Sequence, residues 1–178
     1  YLTAFNNVTG SSPILQGIGS DTNVILSLRG QGTGGVQVQG TGTNNSAPAG
    51  YVGEFISSVI ASGSPVTMTN ATATNVTSIS LTAGDWDVWG NMSWVSTGTG
   101  PSAIACWVSS TSATVPDLSL YTGLFFAATT VISAATGVNA AKLRFSLSST
   151  TTIYLTGYTA NVSGTSTVCG GIYARRRR

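Results

Sequence analysis

Residues Ser78–Val95 read SISLTAGDWDVWGNMSWV. Ile79 and Leu81 alternate with Ser78, Ser80 and Thr82. After the break at Thr82-Ala83-Gly84-Asp85, Trp86, Val88, Gly90, Met92 and Trp94 share one parity, and Asp87, Trp89, Asn91 and Ser93 share the other. Alternate side chains of a strand lie on one face, so the Trp86 set is a core face and the Asp87 set points outward. Gly84 supplies the positive φ that a tight hairpin needs. The stretch therefore predicts a strand, a hairpin turn and a further strand, with Trp86 and Trp94 in the core. Trp89 is the exception, a large aromatic on the polar face.

Working outward, segments of the same kind recur. Tyr51–Ile60, Pro65–Thr69, Val76–Leu81, Trp86–Val95, Ala103–Ser109, Gly123–Ile132, Ala141–Leu147, Thr152–Tyr158 and Val168–Ala174 all read as strands. Turn-rich pieces separate them, among them Ser62–Pro65, Thr97–Pro101, Ser148–Thr151 and Asn161–Gly164. Leu143, Phe145 and Leu147 set against Lys142, Arg144 and Ser146 make a half-buried strand. Many short strands at regular spacing predict an all-β chain with an antiparallel β-sandwich of jelly-roll type. Glu54 and Lys142 are the only Glu and Lys, which argues against helix.

Upstream, Val24, Leu26 and Leu28 alternate with Ile25, Ser27 and Arg29. Gly30, Gly32, Gly34 and Gly35 follow, and then Val36 and Val38 alternate with Gln37 and Gln39. This reads as a lone β-hairpin, which is marginal in water and needs partners. The glycine turn lacks the GK[ST] ending of a phosphate loop. TGTNNSAPAG at Thr41–Gly50 is a linker by composition. The division is an N-terminal stalk or anchor segment, residues 1–47, and a C-terminal sandwich domain, residues 48–178.

Charged residues make up 7% of the 178 and hydrophobic ones 42%. Disorder is excluded, because it needs low hydrophobicity or high charge. So little charge implies a hydroxyl- and glycine-coated surface, or one partly hidden against other chains. The net charge of +2 rests on the terminal run Arg175–Arg178. Arg29, Lys142 and Arg144 alone build no basic face, so nucleic acid is not an expected partner. The terminal run itself reads as a solvated tail. The longest uncharged apolar run, Leu118–Ala141, is broken by Thr, Ser and Asn, which suits strands and not a membrane insertion.

The chain has no histidine, which removes His-dependent nucleophile systems and the commonest metal ligand. No metal, cofactor or catalytic residue is expected. Asp85 and Asp87 are the only close acids, about 6.5–7 Å apart on an ideal strand, but as a glycosidase pair they are discounted as solvated hairpin carboxylates. Cys106 and Cys169 lie in apolar strand context and read as buried free thiols, with one disulfide left open. The Asn-X-Ser/Thr triplets at Asn7, Asn44, Asn70, Asn75, Asn91 and Asn161 are read as composition. Trp89, with Asp87, Asn91 and Ser93 on its face, suits two roles: a plane for stacking a sugar, with Asp87 and Asn91 as polar partners, or an aromatic at an interface, the favoured of the two. Trp107 sits in a strand apolar on both faces, which predicts an oligomer contact.

SDTNVILSLRGQGTGGVQVQG (Ser20–Gly40) resembles the stalk repeat of bacteriophage tail fibres. PAGYVGEFISS (Pro48–Ser58), TNVTSISLTAGDWDVWGNMSW (Thr74–Trp94) and the closing GGIYARRRR (Gly170–Arg178) resemble the C-terminal domain of phage fibre and other virion-appendage proteins. The match covers most of the chain. The resemblance implies a virion structural protein, a homotrimer with an intertwined stalk and a sandwich tip that meets a host-surface glycan or protein. The expected trimer interface is Val24, Leu26, Leu28, Val36, Val38 and Trp107. Other virion proteins would hold the N-terminal segment. Three converging arginine tails would splay, hold an anion, or pair with Asp85, Asp87 or Asp117 of neighbours. The rival readings are a capsid decoration or head-fibre protein anchored by its N-terminal segment, and a tailspike-like polysaccharide depolymerase.

Overall fold

The structure, a computed structural model, describes residues 15, 17, 19–30, 32–40, 42–98, 100–120, 122–125, 135–161 and 163–178. It divides into two compact units, Tyr1–Asn44 and Asn45–Arg178. The division falls inside the Thr41–Gly50 stretch.

In the first unit the chain reverses at its glycines. Gly32 has φ 62°, and a side chain on Gly30 would run into the Gly34 carbonyl. The expected hairpin is present only as this reversal. None of the described residues of the unit forms a β-ladder, as befits two short, glycine-spaced arms. Val24, Leu26, Leu28 and Val36 are 43–56% exposed, and Ile25 and Val38 are 85% and 87% exposed. Residues 1–14, including Asn7, lie outside the described residues.

The described residues of the second unit form nine strands: β1 (Phe55–Ile60), β2 (Val66–Thr67), β3 (Thr74–Leu81), β4 (Gly84–Ser96), β5 (Pro101–Ser109), β6 (Thr122–Phe125), β7 (Thr136–Leu147), β8 (Thr151–Asn161) and β9 (Ser166–Arg176). Each falls on a segment expected from the alternation. The part of the sixth segment beyond Phe125 lies outside the described residues. One sheet runs β1-β9-β4-β7, with β2 continuing the β1 edge along β9, and the other runs β3-β8-β5-β6, with every pairing antiparallel. Counting β1 and β2 as one broken strand, this is the order of a jelly roll. The fold is a two-sheet antiparallel β-sandwich.

The core fills the space between the sheets. Trp86, Val88, Met92 and Trp94 of β4 meet Ile104, Cys106 and Val108 of β5 and Ile153 and Leu155 of β8. Gly90 belongs to the same inward row, and a Cβ there would lie 2.6 Å from Leu155 Cδ1, so its lack of a side chain admits the leucine. β7 keeps its apolar face inward across a bulge. Val138 and Ala140 are buried before it, and Leu143, Phe145 and Leu147 face the core after it, because Ala141 and Lys142 together stand opposite Trp89.

The hairpin expected at Ser78–Val95 does not form. β3 pairs with β8, and β4 pairs with β7 and β9, so Thr82-Ala83 is a corner carrying the chain from one sheet to the other. Both arms still face one core, which is why their alternation suits either arrangement. The corner's backbone is satisfied from elsewhere. Trp86 Nε1 donates to Thr82 O at 3.0 Å, and Arg176 donates from Nη1 to Ala83 O at 2.9 Å and from Nη2 to Thr82 Oγ1 at 2.5 Å. Gly84, at φ 141°, leaves the space that the Arg176 guanidinium fills.

The arginine run is therefore not a solvated tail. Arg175 and Arg176 belong to β9, and Arg176 points inward. Its guanidinium bonds Glu54 Oε2 at 2.8 Å and lies 4.3 Å from the Trp86 ring centroid. Arg177 N donates to Asp85 O at 2.8 Å, so the chain stays zipped to β4 beyond the strand.

Candidate functional site

The outer face of the β1-β9-β4-β7 sheet carries an aromatic tier. β9 alternates Cys169, Gly171, Tyr173 and Arg175 outward against Val168, Ile172, Ala174 and Arg176 inward. The register sets Tyr173 between Ser57 of β1 and Trp89 of β4. A Cβ on Gly171 would lie 2.6 Å from the Tyr173 hydroxyl and 3.1 Å from Val59, so the phenol lies down over the bare glycine. The Trp89 and Tyr173 ring centroids are 6.0 Å apart with planes 23° from parallel; Phe55 and Tyr173 are 6.3 Å apart at 22°. Phe55 and Trp89 complete the triangle at 6.2 Å.

Beside the rings, Asn91 of β4 stands opposite Asn139 of β7. Both are exposed, and neither amide has a hydrogen-bond partner among the described residues. Trp89, Asn91, Asn139, Ala140, Lys142 and Tyr173 line a shallow depression of about 550 Å³. Aromatic planes beside free donors and acceptors are suited to a polyhydroxylated ring, whose apolar face stacks while its hydroxyls bond to the amides.

Of the three residues expected to bind a receptor, Trp89 and Asn91 face this depression. Asp87 is already engaged, with Lys142 Nζ at 2.9 Å and Arg177 at 3.6 Å. Asp85 is engaged more tightly. Arg144 holds both its oxygens, at 2.7 and 2.8 Å, and Arg178 approaches at 3.2 Å. The Arg144 hydrogen bonds hold the Asp85 carboxyl below the usual carboxylate range, against the opposing effect of burial. An ionised, ion-paired Asp85 is no general acid near neutrality. The partners of both acids in this structure come from the same chain.

Phe55, Tyr173, Asn139 and Lys142 do not stand out in the sequence as site residues. The outward parity of Tyr173 is legible in GGIYAR, but its neighbours come from β1 and β4, more than 75 residues away in the chain, and no local pattern states that pairing.

Trp107 is placed differently from expectation. It is 1% exposed within its own chain, so it offers no surface to a partner. Ala103, Ala105 and Trp107 lie on the outer face of the β3-β8-β5-β6 sheet. There, with Val115, Gly123 and Tyr158, they border an apolar recess of about 290 Å³. Asn75 pins the β5–β6 connection: its Oδ1 accepts from Ala113 N at 2.9 Å, and its Nδ2 donates to Ser112 Oγ at 2.7 Å. Asn75, like Asn70 and Asn161, has its side chain committed to such bonds.

The two cysteines face different spaces. Cys106 lies in the core and donates to Val138 O at 3.5 Å, and burial pushes its thiol pKa up to about 12. Cys169 is half-buried on the outer face of the other sheet, so no disulfide joins them. Among the described residues no group of three or more His, Cys, Asp or Glu gathers as a metal site, and no helix is long and apolar enough to cross a membrane.

No family model and no curated protein matches this chain. Among solved structures it is similar to the VP2 subviral particle of infectious bursal disease virus, with a TM-score of 0.46, 9% identity, and coverage of 70% of this chain and 32% of that one. It is also similar to the structure of the Gx strain of that virus, with a TM-score of 0.44, 10% identity, and coverage of 85% of this chain and 42% of that one. The chain thus spans less than half the length of either.

Proposed function

We propose that this chain is a structural protein of a virus particle, a trimeric fibre of bacteriophage type whose jelly-roll domain attaches to a glycan on the host surface. The observation that carries the binding half is the Trp89–Tyr173 tier, laid on an exposed sheet face beside the unpartnered amides of Asn91 and Asn139. The stalk motif and the GGIYARRRR end support the virion half through their resemblance to fibre proteins. Jelly rolls serve both virus capsids and lectins, so the fold is compatible with either half and decides neither. The exposed Val24, Leu26, Leu28 and Val36 of the first unit are the surface through which copies associate. Function is attachment without catalysis, since both acids of the Asp85–Asp87 pair serve as ion-pair partners. Three weak sites on one trimer gain by avidity.

The test is binding to arrayed host-surface glycans and to whole cells by the intact chain, wild type against Trp89→Ala, with solution mass measured in parallel. Loss of binding at unchanged mass and unchanged circular dichroism supports the reading. Undiminished binding by Trp89→Ala removes the tier as the site. A mass of 18.1 kDa instead of three times that value removes the trimer.

A further inference from the structure

The aromatic tier ends against a basic rim. Lys142, Arg144, Arg177 and Arg178 share Asp85 and Asp87 on this rim. Arg175 extends outward on β9, two residues beyond Tyr173 and beside Phe55 in the register. Asp87 stands opposite it across the β9–β4 ladder, yet no carboxylate pairs with Arg175, because Lys142 and Arg177 hold Asp87. Among the described residues of the second unit, Arg175 is the basic side chain without a carboxylate partner. The five cations of the rim against two acids leave a side-chain charge of +3 beside the rings.

From this we infer that the ligand of the tier is an acidic polysaccharide carrying sugar carboxylates. The inference rests on the glycan reading given above and adds the ligand's charge and chemical class. A pyranose ring lies on Trp89 and Tyr173 with hydroxyls toward Asn91 and Asn139, and a carboxylate of the same or the next residue meets Arg175. Two residues along a strand set the Arg175 Cα about 7 Å from that of Tyr173, within the span of a disaccharide. The planar fork of a guanidinium takes a carboxylate through two parallel hydrogen bonds. One unpaired guanidinium beside a stacking plane suits a carboxylated chain, of which it engages one sugar carboxylate at a time. A densely sulfated polymer calls for a track of free cations, and the other cations of this rim are already paired.

The experiment is calorimetric titration of the intact chain with oligogalacturonides, neutral dextran oligosaccharides and dextran sulfate oligosaccharides. Wild type, Arg175→Gln and Trp89→Ala are compared, with thermal unfolding of each variant as a check on folding. Oligogalacturonide binding that Arg175→Gln weakens about tenfold, Trp89→Ala abolishes and salt diminishes supports the inference. Equal binding by wild type and Arg175→Gln, equal affinity for dextran, preference for dextran sulfate, or no binding to oligogalacturonide each overturns it. Dextran binding lost only in Trp89→Ala retains the tier as a glycan site and rejects its preference for acid. Oligogalacturonide binding that needs Arg175 but not Trp89 rejects the tier itself.

Discussion

The Arg176 guanidinium and the Glu54 carboxylate, 122 residues apart in the chain, meet at 2.8 Å with side chains only 5% and 9% exposed. Both groups have further partners. Gly50 N also donates to Glu54 Oε2, at 2.8 Å, while the guanidinium spans the Thr82-Ala83 corner and lies over Trp86. One ion pair thus ties the entrance of β1, the corner before β4 and the end of β9.

Removing either partner leaves a buried charge uncompensated, so Arg176→Met or Glu54→Gln should each cost about 3–5 kcal/mol. The double variant should cost less than the sum, because neither charge is then stranded. Urea unfolding midpoints check this. Strict additivity would mean that the two side chains act independently.

Acid should weaken the domain. Burial works to raise the Glu54 carboxyl, but the Gly50 N–H and the Arg176 guanidinium outweigh it, and the net shift is downward. Arg144 lowers Asp85 likewise. A carboxyl with a lowered folded pKa binds its proton more weakly folded than unfolded. Its contribution is complete above the unfolded value and is lost as pH falls through the folded one. Thermal midpoints should therefore hold from neutrality to about pH 5 and drop below about pH 4. A midpoint that rises on acidification contradicts the pairing.

Trp107 supports its own chain, so Trp107→Ala should destabilise the fold by about 3–5 kcal/mol. Light scattering should find its oligomeric state unchanged under folded conditions. A variant that dissociates while its unfolding midpoint stays fixed would restore Trp107 to an interface.

The cysteines should separate by reactivity. With its thiol pushed up to about 12 and enclosed in the core, Cys106 should ignore a thiol reagent at pH 8 until the chain unfolds. Cys169, half-buried on the outer face, should react in the native protein. Mass spectrometry should find one label natively and two in denaturant.

Strand positions and the inward row Trp86, Val88, Met92 and Trp94 were legible because burial on one face imposes a period of two. Pairing was not. Leu81 and Trp86 face one core whether their strands are neighbours or lie in opposite sheets, so alternation alone cannot separate a hairpin from a corner. What separates them is Arg176, which feeds hydrogen bonds to the corner from the far end of the chain. Charge was misleading for the same reason: four consecutive arginines suggest solvent, but strand parity turns Arg176 inward onto Glu54. Trp89 and Asn91 were found because an aromatic on a polar row stands out locally. Tyr173 and Phe55 join them only through non-local ladders.

β9 lies between β1 and β4, so the strand synthesised last of the nine is an interior strand of its sheet. On the ribosome, β1 and β2 have no edge to dock on until β9 emerges, and the Glu54 carboxylate has no counter-charge. The earlier strands must therefore wait, open and apolar, until β9 has been made. Folding should be slow and dominated by distant contacts, and a chain that loses β9 should be recovered as aggregate and not as a smaller domain.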